Sequence, residues 1–347
     1  MEKIMEAIYG AILSFVKKNK AISTFCLCLF IIGSPAIFTR SCSHGLNFSQ
    51  TGQIGDTFAI MNPFIAIVAA VLTFIAFWTQ YKANKEMLKN NDKQQEERQF
   101  YEMLKIHKDN IDKLTMDARI NQKDTMVKGS SAIRLLQIEF TNIHTLTLFN
   151  YNNKGLDETA PINKKQAFDD AYRIFFLGNE WAANQERLSI VYNMIKDSQK
   201  NGTFNSANGV TEYTREGLSI NPYKFGLGHV EQFDPYYRHL YHMVKSVVLS
   251  KKFDDDEKIR FLKILRAQMT SDEQILLLYN WRSGYGKKWE SEEVRQYFFS
   301  KYYMIHNIFP SSCVFDANEI FGMFPHASED EKKKMFEHIE YQPQNQE

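Results

Sequence analysis

The sequence predicts an all-α protein with two N-terminal transmembrane helices, a polar connecting helix and a cytoplasmic helical domain. Three observations support this prediction: two charge-free apolar stretches, lysines just outside them, and helical spacing of apolar residues through much of the remaining chain. No convincing run of alternating polar and apolar residues predicts a strand. The formal net charge of +1 over 347 residues excludes a strongly basic nucleic-acid-binding protein.

The two apolar stretches cover residues 21–39 and 58–78. A helix rises about 1.5 Å per residue, so each stretch spans roughly the thickness of a hydrocarbon core. The first stretch could instead be a signal peptide. Against this, residues 1–20 precede it, and the second stretch would anchor the chain in either case. We therefore expect a two-helix transmembrane hairpin at residues 21–80.

Lysines predict the orientation of this hairpin. The connecting loop, residues 40–57, contains one arginine and one aspartate. Lysines lie before the first stretch and after the second, at Lys17, Lys18, Lys20, Lys82, Lys85 and Lys89. Because positively charged flanks stay on the cytoplasmic side, both termini are expected in the cytoplasm and the loop outside.

Five residues in these stretches are candidates for a role in the membrane. Pro35 and Pro63 each lack a backbone donor and could kink their helices. Asn62 could hydrogen-bond across helices, or it could simply contact lipid headgroups. Ala66 and Ala70 form a pair of small residues four apart, a spacing that favours close helix packing.

Two segments flank the hairpin. Residues 1–20 have apolar side chains at helical spacing, which fits either an amphipathic helix on the inner leaflet or an extension of the first span. Residues 81–125 are expected to form the connecting helix, polar at first and then carrying a seam of core-type positions. That seam contains Phe100, Leu104, His107, Ile111, Leu114 and Ala118. His107 is either a register-setting or pH-sensitive residue, or a partly buried histidine with satisfied hydrogen bonds.

The cytoplasmic helical domain is expected over residues 126–310, with a tail and one short helix over residues 311–347. Pro235 is expected in a first helical turn, and Ser271 is expected to start a capping box with Gln274. Residues 200–228, rich in Gly and Asn, predict an irregular loop. Helices are predicted at residues 132–148, 166–177, 184–196, from 235, from 254, from 271, at 294–309 and from 328.

A line of polar residues follows Pro235. Arg238 and His242 share a helix face, Lys245 lies one turn further on, and His239 is adjacent. These side chains could hold a phosphate or another acidic group. Alternatively, they are a polar helix face that caps neighbouring helices.

The sequence gives little support for metal binding or for enzymatic catalysis. His229, His239 and His242 lack a cysteine or carboxylate at a recognisable metal-site spacing, so no metal or cofactor is expected. The sequence has no phosphate-binding glycine loop and no nucleophile elbow. The residues therefore do not predict an enzyme.

Several ordered segments resemble the AbiC-type phage abortive-infection family. They cover residues 100–309 and lie behind the two apolar stretches. The segments are 100–107 (FYEMLKIH), Lys128-Gly129, 171–178 (AYRIFFLG), 235–242 (PYYRHLYH), 265–270 (LRAQMT) and 273–280 (EQILLLYN).

This resemblance implies a bacterial inner-membrane defence protein, multi-pass, that halts the infected host. Some similar two-span proteins are the toxic effectors of retrons, encoded beside a reverse transcriptase and its non-coding RNA. The resemblance brings no catalytic residues. It implies structural, regulatory or partner-contact positions at His107, Tyr237, Arg238, His239, His242, Lys245, Arg266, Gln268, Tyr279 and Asn280.

Three functions remain in competition. The first is a toxic effector that a partner keeps inactive and that disrupts the membrane after release. The second is a membrane-tethered enzyme that uses Arg238, His239, His242 and Gln268, and the third is a non-toxic sensor or scaffold. The expected partners are the lipid bilayer, further copies of the chain in the active state, and a reverse transcriptase with its RNA or DNA as inhibitor. No small-molecule substrate is evident.

Overall fold

A computed structural model describes residues 62–120, 123–153, 161–201, 213–215, 218–222 and 226–340, and isolated positions between 6 and 18. The chain divides into two compact units, residues 1–94 and 95–347. The predicted first span, its Pro35 and the loop after it lie outside the described residues. The two-helix hairpin therefore stays a prediction.

The first unit contains the start of helix α1 (Asn62–Lys113), whose apolar beginning was predicted as the second span. Among the described residues, α1 is the one helix long and apolar enough to cross a membrane, which supports membrane association. Many large apolar side chains in its apolar part are exposed, including Ile65, Ile67, Leu72 and Phe77. Trp78 is buried and stacks on Tyr81 with 5.3 Å between ring centroids, just before Lys82.

The membrane candidates of α1 lie at its start. Asn62 and Pro63 are the first two residues of the described part of α1. Residues 40–61 lie outside the described residues, so the kink at Pro63 stays a prediction. Asn62, Pro63, Ala66 and Ala70 are all exposed. Near the other end of the apolar stretch, Lys82 pairs with Glu6 at 3.5 Å.

The second unit is mostly helical, as predicted. After α1, its helices are α2 (Ser130–Asn153), α3 (Pro161–Leu177), α4 (Asn179–Ala183), α5 (Ser189–Asn201), α6 (Val230–Leu249), α7 (Asp255–Gln268), α8 (Ser271–Arg282), α9 (Ala317–Gly322) and α10 (Glu329–Met335). Short 3₁₀ turns cover Glu186–Leu188, Lys287–Trp289 and Pro310–Ser312. The strands are β1 (Thr115–Ile120), β2 (Lys123–Lys128), β3 (Tyr213–Arg215), β4 (Leu218–Pro222), β5 (Glu290–Ser291) and β6 (Gln296–Tyr297).

A small antiparallel sheet corrects the expectation that no strand occurs. Its strand order is β2-β1-β4-β3, and β3 and β4 lie in the stretch predicted as an irregular loop. In β1 and the residue before it, the buried Leu114, Met116 and Ala118 alternate with partly exposed residues. Positions 114 and 118 fit a helical spacing of four as well as a strand spacing of two, so the helical seam was extended too far.

Helix starts follow capping chemistry, with two corrections. Asp254 with Glu257 and Ser328 with Glu331 form capping boxes where helices were predicted to start, at residues 254 and 328. Helix α8 instead uses Thr270 as its cap with Glu273 as the reciprocal partner, so Ser271 is already helical. Pro235 lies inside α6, which begins at Val230 and not at the proline.

The helix predicted at residues 294–309 is wrong. Strand β6, which pairs with β5, and a series of turns occupy this part of the chain. Arg295 and Tyr303 have positive φ angles of 51° and 55°, which a right-handed helix cannot contain. The apolar residues that suggested a helix are nevertheless largely buried, at Phe298, Tyr302 and Ile305.

An aromatic cluster forms the centre of the second unit. The rings of Phe140 and Tyr279 lie 4.5 Å apart, and Phe168, Tyr172 and Phe175 surround Phe140 at 5.4 to 6.0 Å. These rings come from α2, α3 and α8. Most of α8 is buried, so this helix is a fixed support for the residues at its C-terminal end.

A cleft between helix α6 and the end of helix α8

A cleft of about 460 Å³ lies between α6 and the loop after α8. We call it the α6–α8 cleft. Five of the residues singled out in the sequence line it, and eight further residues complete its wall. These are Tyr237, Arg238, His242, Lys245 and Asn280, with Phe176, Asp234, Tyr241, Tyr285, Gly286, Lys287, Lys288 and Trp289.

Helix α6 provides one wall because its polar residues recur at helical spacing. Arg238, His242 and Lys245 lie four and three residues apart and so share one face. The Arg238 guanidinium donates to the Asp234 carboxylate one turn earlier. Both of these side chains are exposed, so this ion pair contributes little to stability and leaves Arg238 accessible.

The loop after α8 provides the opposite wall. Gly284 takes a φ of +88°, and the Gly286 N–H then donates to the Asn280 carbonyl at 2.9 Å. This path places Lys287 and Lys288 at the cleft, while Trp289 is buried beneath them. The two lysines and the aromatic residues of this loop were missed by the sequence reasoning.

Buried groups hold the floor of the cleft in place. The Asn280 amide donates to the Tyr172 hydroxyl at 2.9 Å, and Tyr172 is fully buried. Burial raises the pKa of the Tyr172 hydroxyl, so it stays protonated. The Tyr237 hydroxyl donates to the Leu276 carbonyl at 3.1 Å. These bonds fix two aromatic residues and one amide before any ligand arrives.

The loop depends on a glycine at position 286. A Cβ atom there would collide with the Asn280 amide oxygen and lie 3.2 Å from the Trp281 backbone nitrogen. Because Asn280 is held by Tyr172, the collision has no easy relief. We expect Gly286→Ala to lower the free energy of unfolding by about 1–3 kcal/mol. Denaturant titration would measure this loss, and a variant as stable as the wild type would contradict the close packing of the loop on Asn280.

The charge around the cleft is predominantly positive. In the described parts of the chain, no carboxylate forms an ion pair with Lys245, Lys287 or Lys288. The Lys245 ammonium instead lies 5.7 Å from the centre of the Tyr241 ring. Cations gathered on low-dielectric walls attract anions, so the cleft is electrostatically suited to a negatively charged ligand.

His239 and His107 lie away from the cleft. The His239 Nε2 atom contacts the Met103 carbonyl of α1 at 3.0 Å. The His107 ring is buried, with its Nε2 atom 3.8 Å from the Glu273 carboxylate. Neither His107 nitrogen makes a hydrogen bond to a described residue, which differs from the expectation of a satisfied histidine.

The remaining singled-out residues have structural contacts. Arg266 donates to the Tyr303 carbonyl at 2.9 Å, and Gln268 is exposed at the end of α7. The Tyr279 hydroxyl accepts from the Val314 N–H at 2.8 Å. Among the residues that the structure describes, no group of three or more His, Cys, Asp or Glu side chains is placed to hold a metal ion.

Comparison with known proteins finds a family similar to the segment that contains α6, α7, α8 and most of the cleft residues. Residues 228–310 match the model of the family described as "Putative phage abortive infection protein". No curated protein and no solved structure matches the chain. The description of this family names no catalytic activity. The match confirms the resemblance found in the sequence: residues 228–310 of this chain are similar to the AbiC-type family of phage abortive-infection proteins.

Proposed function

We propose that this protein is a membrane-anchored effector of abortive infection, and that its active state disrupts the bacterial inner membrane. The family match at residues 228–310 supports the role in phage defence. The observation that carries the membrane part is helix α1, whose first residues are apolar and exposed and whose later residues are polar. A helix of this composition is stable where its apolar part contacts lipid.

Helix α1 also carries residues of the second unit's core. Phe100 is buried and packs 5.0 Å from Phe261 of α7, and His107 is buried beside Tyr236 of α6. A rearrangement of residues 228–310, the segment that matches the family, would therefore act on the same helix that contains the apolar stretch. This continuity favours an effector in which the cytoplasmic domain controls the membrane segment.

A partner and an oligomer complete the proposal. Two spans in one chain cannot enclose a pore, so the active form requires several copies or a defect in the lipid. A reverse transcriptase with its non-coding RNA or DNA is the proposed inhibitory partner. Because the chain has a net charge of +1, we expect this contact to be mainly protein-mediated.

A pair of leucine substitutions on α1 tests the membrane action. Leu72 in the apolar part and Leu88 in the polar part are similarly exposed, at 60% and 65%. An arginine inside the bilayer costs about 2.5–3.5 kcal/mol, whereas an arginine at position 88 stays in water. We expect induction of the wild type and of Leu88→Arg to depolarise cells, and Leu72→Arg to lose this effect. A potential-sensitive dye measures the depolarisation.

Protein amounts in membrane and soluble fractions provide the control for this experiment. Toxicity from a soluble form of the chain would overturn the proposal, and toxicity without depolarisation would favour the tethered-enzyme alternative. A chain that is harmless on induction without its partner would favour the sensor or scaffold.

A further inference from the structure

We propose that the α6–α8 cleft binds a nucleoside phosphate, with its phosphates against the basic side chains and its base against the exposed aromatic rings. This inference goes beyond the proposed membrane function and does not depend on it. It rests on three independent features of the cleft: its charge, its aromatic walls and its size.

The charge comes from two elements that face each other. Helix α6 contributes Arg238 and Lys245, and the loop after α8 contributes Lys287 and Lys288. Arginine presents a planar fork of donors and lysine a mobile point charge, and both are common ligands of phosphate oxygens. The single carboxylate in the wall, Asp234, is already paired with Arg238. An anion with several oxygens can therefore contact both walls at once.

The aromatic residues of the cleft favour a ligand that carries a ring in addition to its phosphates. Tyr285 is 47% exposed, and its ring packs 4.8 Å from Phe176 and 5.7 Å from Tyr172. This support fixes the orientation of the exposed ring. Tyr241 is half-buried and also lines the cleft. Stacking of a nucleobase on such a ring contributes about 1–3 kcal/mol.

The size of the cleft argues for a small ligand. A volume of about 460 Å³ lies within the range of roughly 300–1,000 Å³ that is typical of small-molecule sites. A nucleic-acid strand needs a basic groove that continues along its backbone, and the near-neutral net charge of the chain does not favour one. A lipid headgroup offers a phosphate, but it has no aromatic ring to stack on Tyr285.

Calorimetric titration of the full-length protein in detergent micelles tests this proposal. The probes are ATP, GTP, CTP and UTP, each titrated separately, with pyrophosphate and glycerol 3-phosphate as phosphates that lack a base. We expect at least one nucleoside triphosphate to bind, and both base-free phosphates to bind at least about tenfold more weakly because they lose the stacking contribution.

Variants identify the site of binding. Lys287→Gln with Lys288→Gln should weaken binding about tenfold, since two cations are lost from the wall. The matched control, Lys333→Gln with Lys334→Gln, removes two neighbouring exposed lysines from α10 and should leave binding unchanged. Tyr285→Ala should weaken binding, and Tyr285→Phe should restore it because the ring is kept.

Three results would overturn the proposal. The first is that none of the four triphosphates binds. The second is that glycerol 3-phosphate or pyrophosphate binds as tightly as the best triphosphate, which would indicate a site for a headgroup or a simple phosphate. The third is that the control lysine pair weakens binding as much as the cleft pair. Failure of the membrane-potential experiment would leave all of these measurements intact, so the two proposals are tested separately.

Discussion

Replacement of Gly228 by alanine is expected to destabilise the second unit by about 3 kcal/mol or more. Gly228 has a φ of +88°, a conformation that costs an L-residue about 1–2 kcal/mol. A Cβ atom at this position would also lie 2.7 Å from the backbone nitrogen of Gly178 and from the carbonyl carbon of Leu177. Because both neighbours are backbone atoms, no side-chain movement can relieve the collision.

The surrounding hydrogen bonds show why the backbone cannot move aside. The Asn179 N–H donates to the Gly226 carbonyl at 2.6 Å, and the His229 N–H donates to the Phe176 carbonyl at 3.0 Å. The buried Glu139 carboxylate accepts from the Gly226 N–H at 2.6 Å and contacts the His229 ring at 2.9 Å. A shift of Gly228 would break these hydrogen bonds, which hold the chain just before α6. Gly228 is also the first residue of the family match, residues 228–310.

Two other glycines separate the contributions to this loss. Gly284 has the same φ of +88° but open space at its Cβ position, so Gly284→Ala should show the conformational cost alone, about 1–2 kcal/mol. Gly322 has open space and no positive φ, and Gly322→Ala should change stability by less than about 1 kcal/mol. Urea unfolding followed by tryptophan fluorescence measures all three. A Gly228→Ala loss no larger than that of Gly284→Ala would refute the backbone collision.

Capping chemistry and helical spacing explain which parts of the fold were predictable. Asp254 with Glu257 and Ser328 with Glu331 are local signals, because a helix start depends on residues three positions apart. The strand β1 was missed because Leu114 and Ala118 satisfy both helical and strand periodicity. The region around Tyr303 was missed because its apolar residues are buried through turns, whose path is determined by tertiary packing.

In the α6–α8 cleft too, the residues placed by local helix geometry were predictable and those placed by tertiary packing were not. Arg238, His242 and Lys245 were found because positions four and three apart on a helix share a face whatever the helix packs against. Lys287 and Lys288 were not found because their position depends on a loop that closes through Gly286 and Asn280. His107 was recognised as a polar residue in a core position, but its lack of hydrogen bonds depends on how α1 packs against α6 and α8.

Acidification from pH 7 to pH 5 is expected to destabilise the second unit through two buried histidines. Burial lowers the pKa of His107 to about 4, with the nearby His239 as a smaller cause. Burial also lowers the pKa of His144 to about 4, with a smaller effect of Lys164. In the unfolded chain a histidine takes up a proton near pH 6.5, whereas these two remain neutral in the folded chain until about pH 4. The unfolded state therefore binds more protons as the pH falls.

The size of this effect follows from the linkage of protonation to folding. One histidine neutral at pH 5 in the folded state and charged in the unfolded state costs about 2 kcal/mol relative to pH 7, so both together cost about 4 kcal/mol. Burial raises the pKa of the Glu273 and Glu290 carboxyls, which take up protons earlier in the folded state and so oppose part of this loss. The histidine contribution must therefore be measured as a difference between variants.

His107→Phe isolates this contribution. Phenylalanine keeps an aromatic ring beside Tyr236, and it removes no hydrogen bond because the His107 nitrogens make none to a described residue. The variant should be at least as stable as the wild type at pH 7 and lose about 2 kcal/mol less on acidification to pH 5. Urea midpoints at the two pH values measure this, and the stability at pH 7 controls for damage to the core. Equal losses in the variant and the wild type would show that His107 takes up its proton equally in the folded and unfolded states.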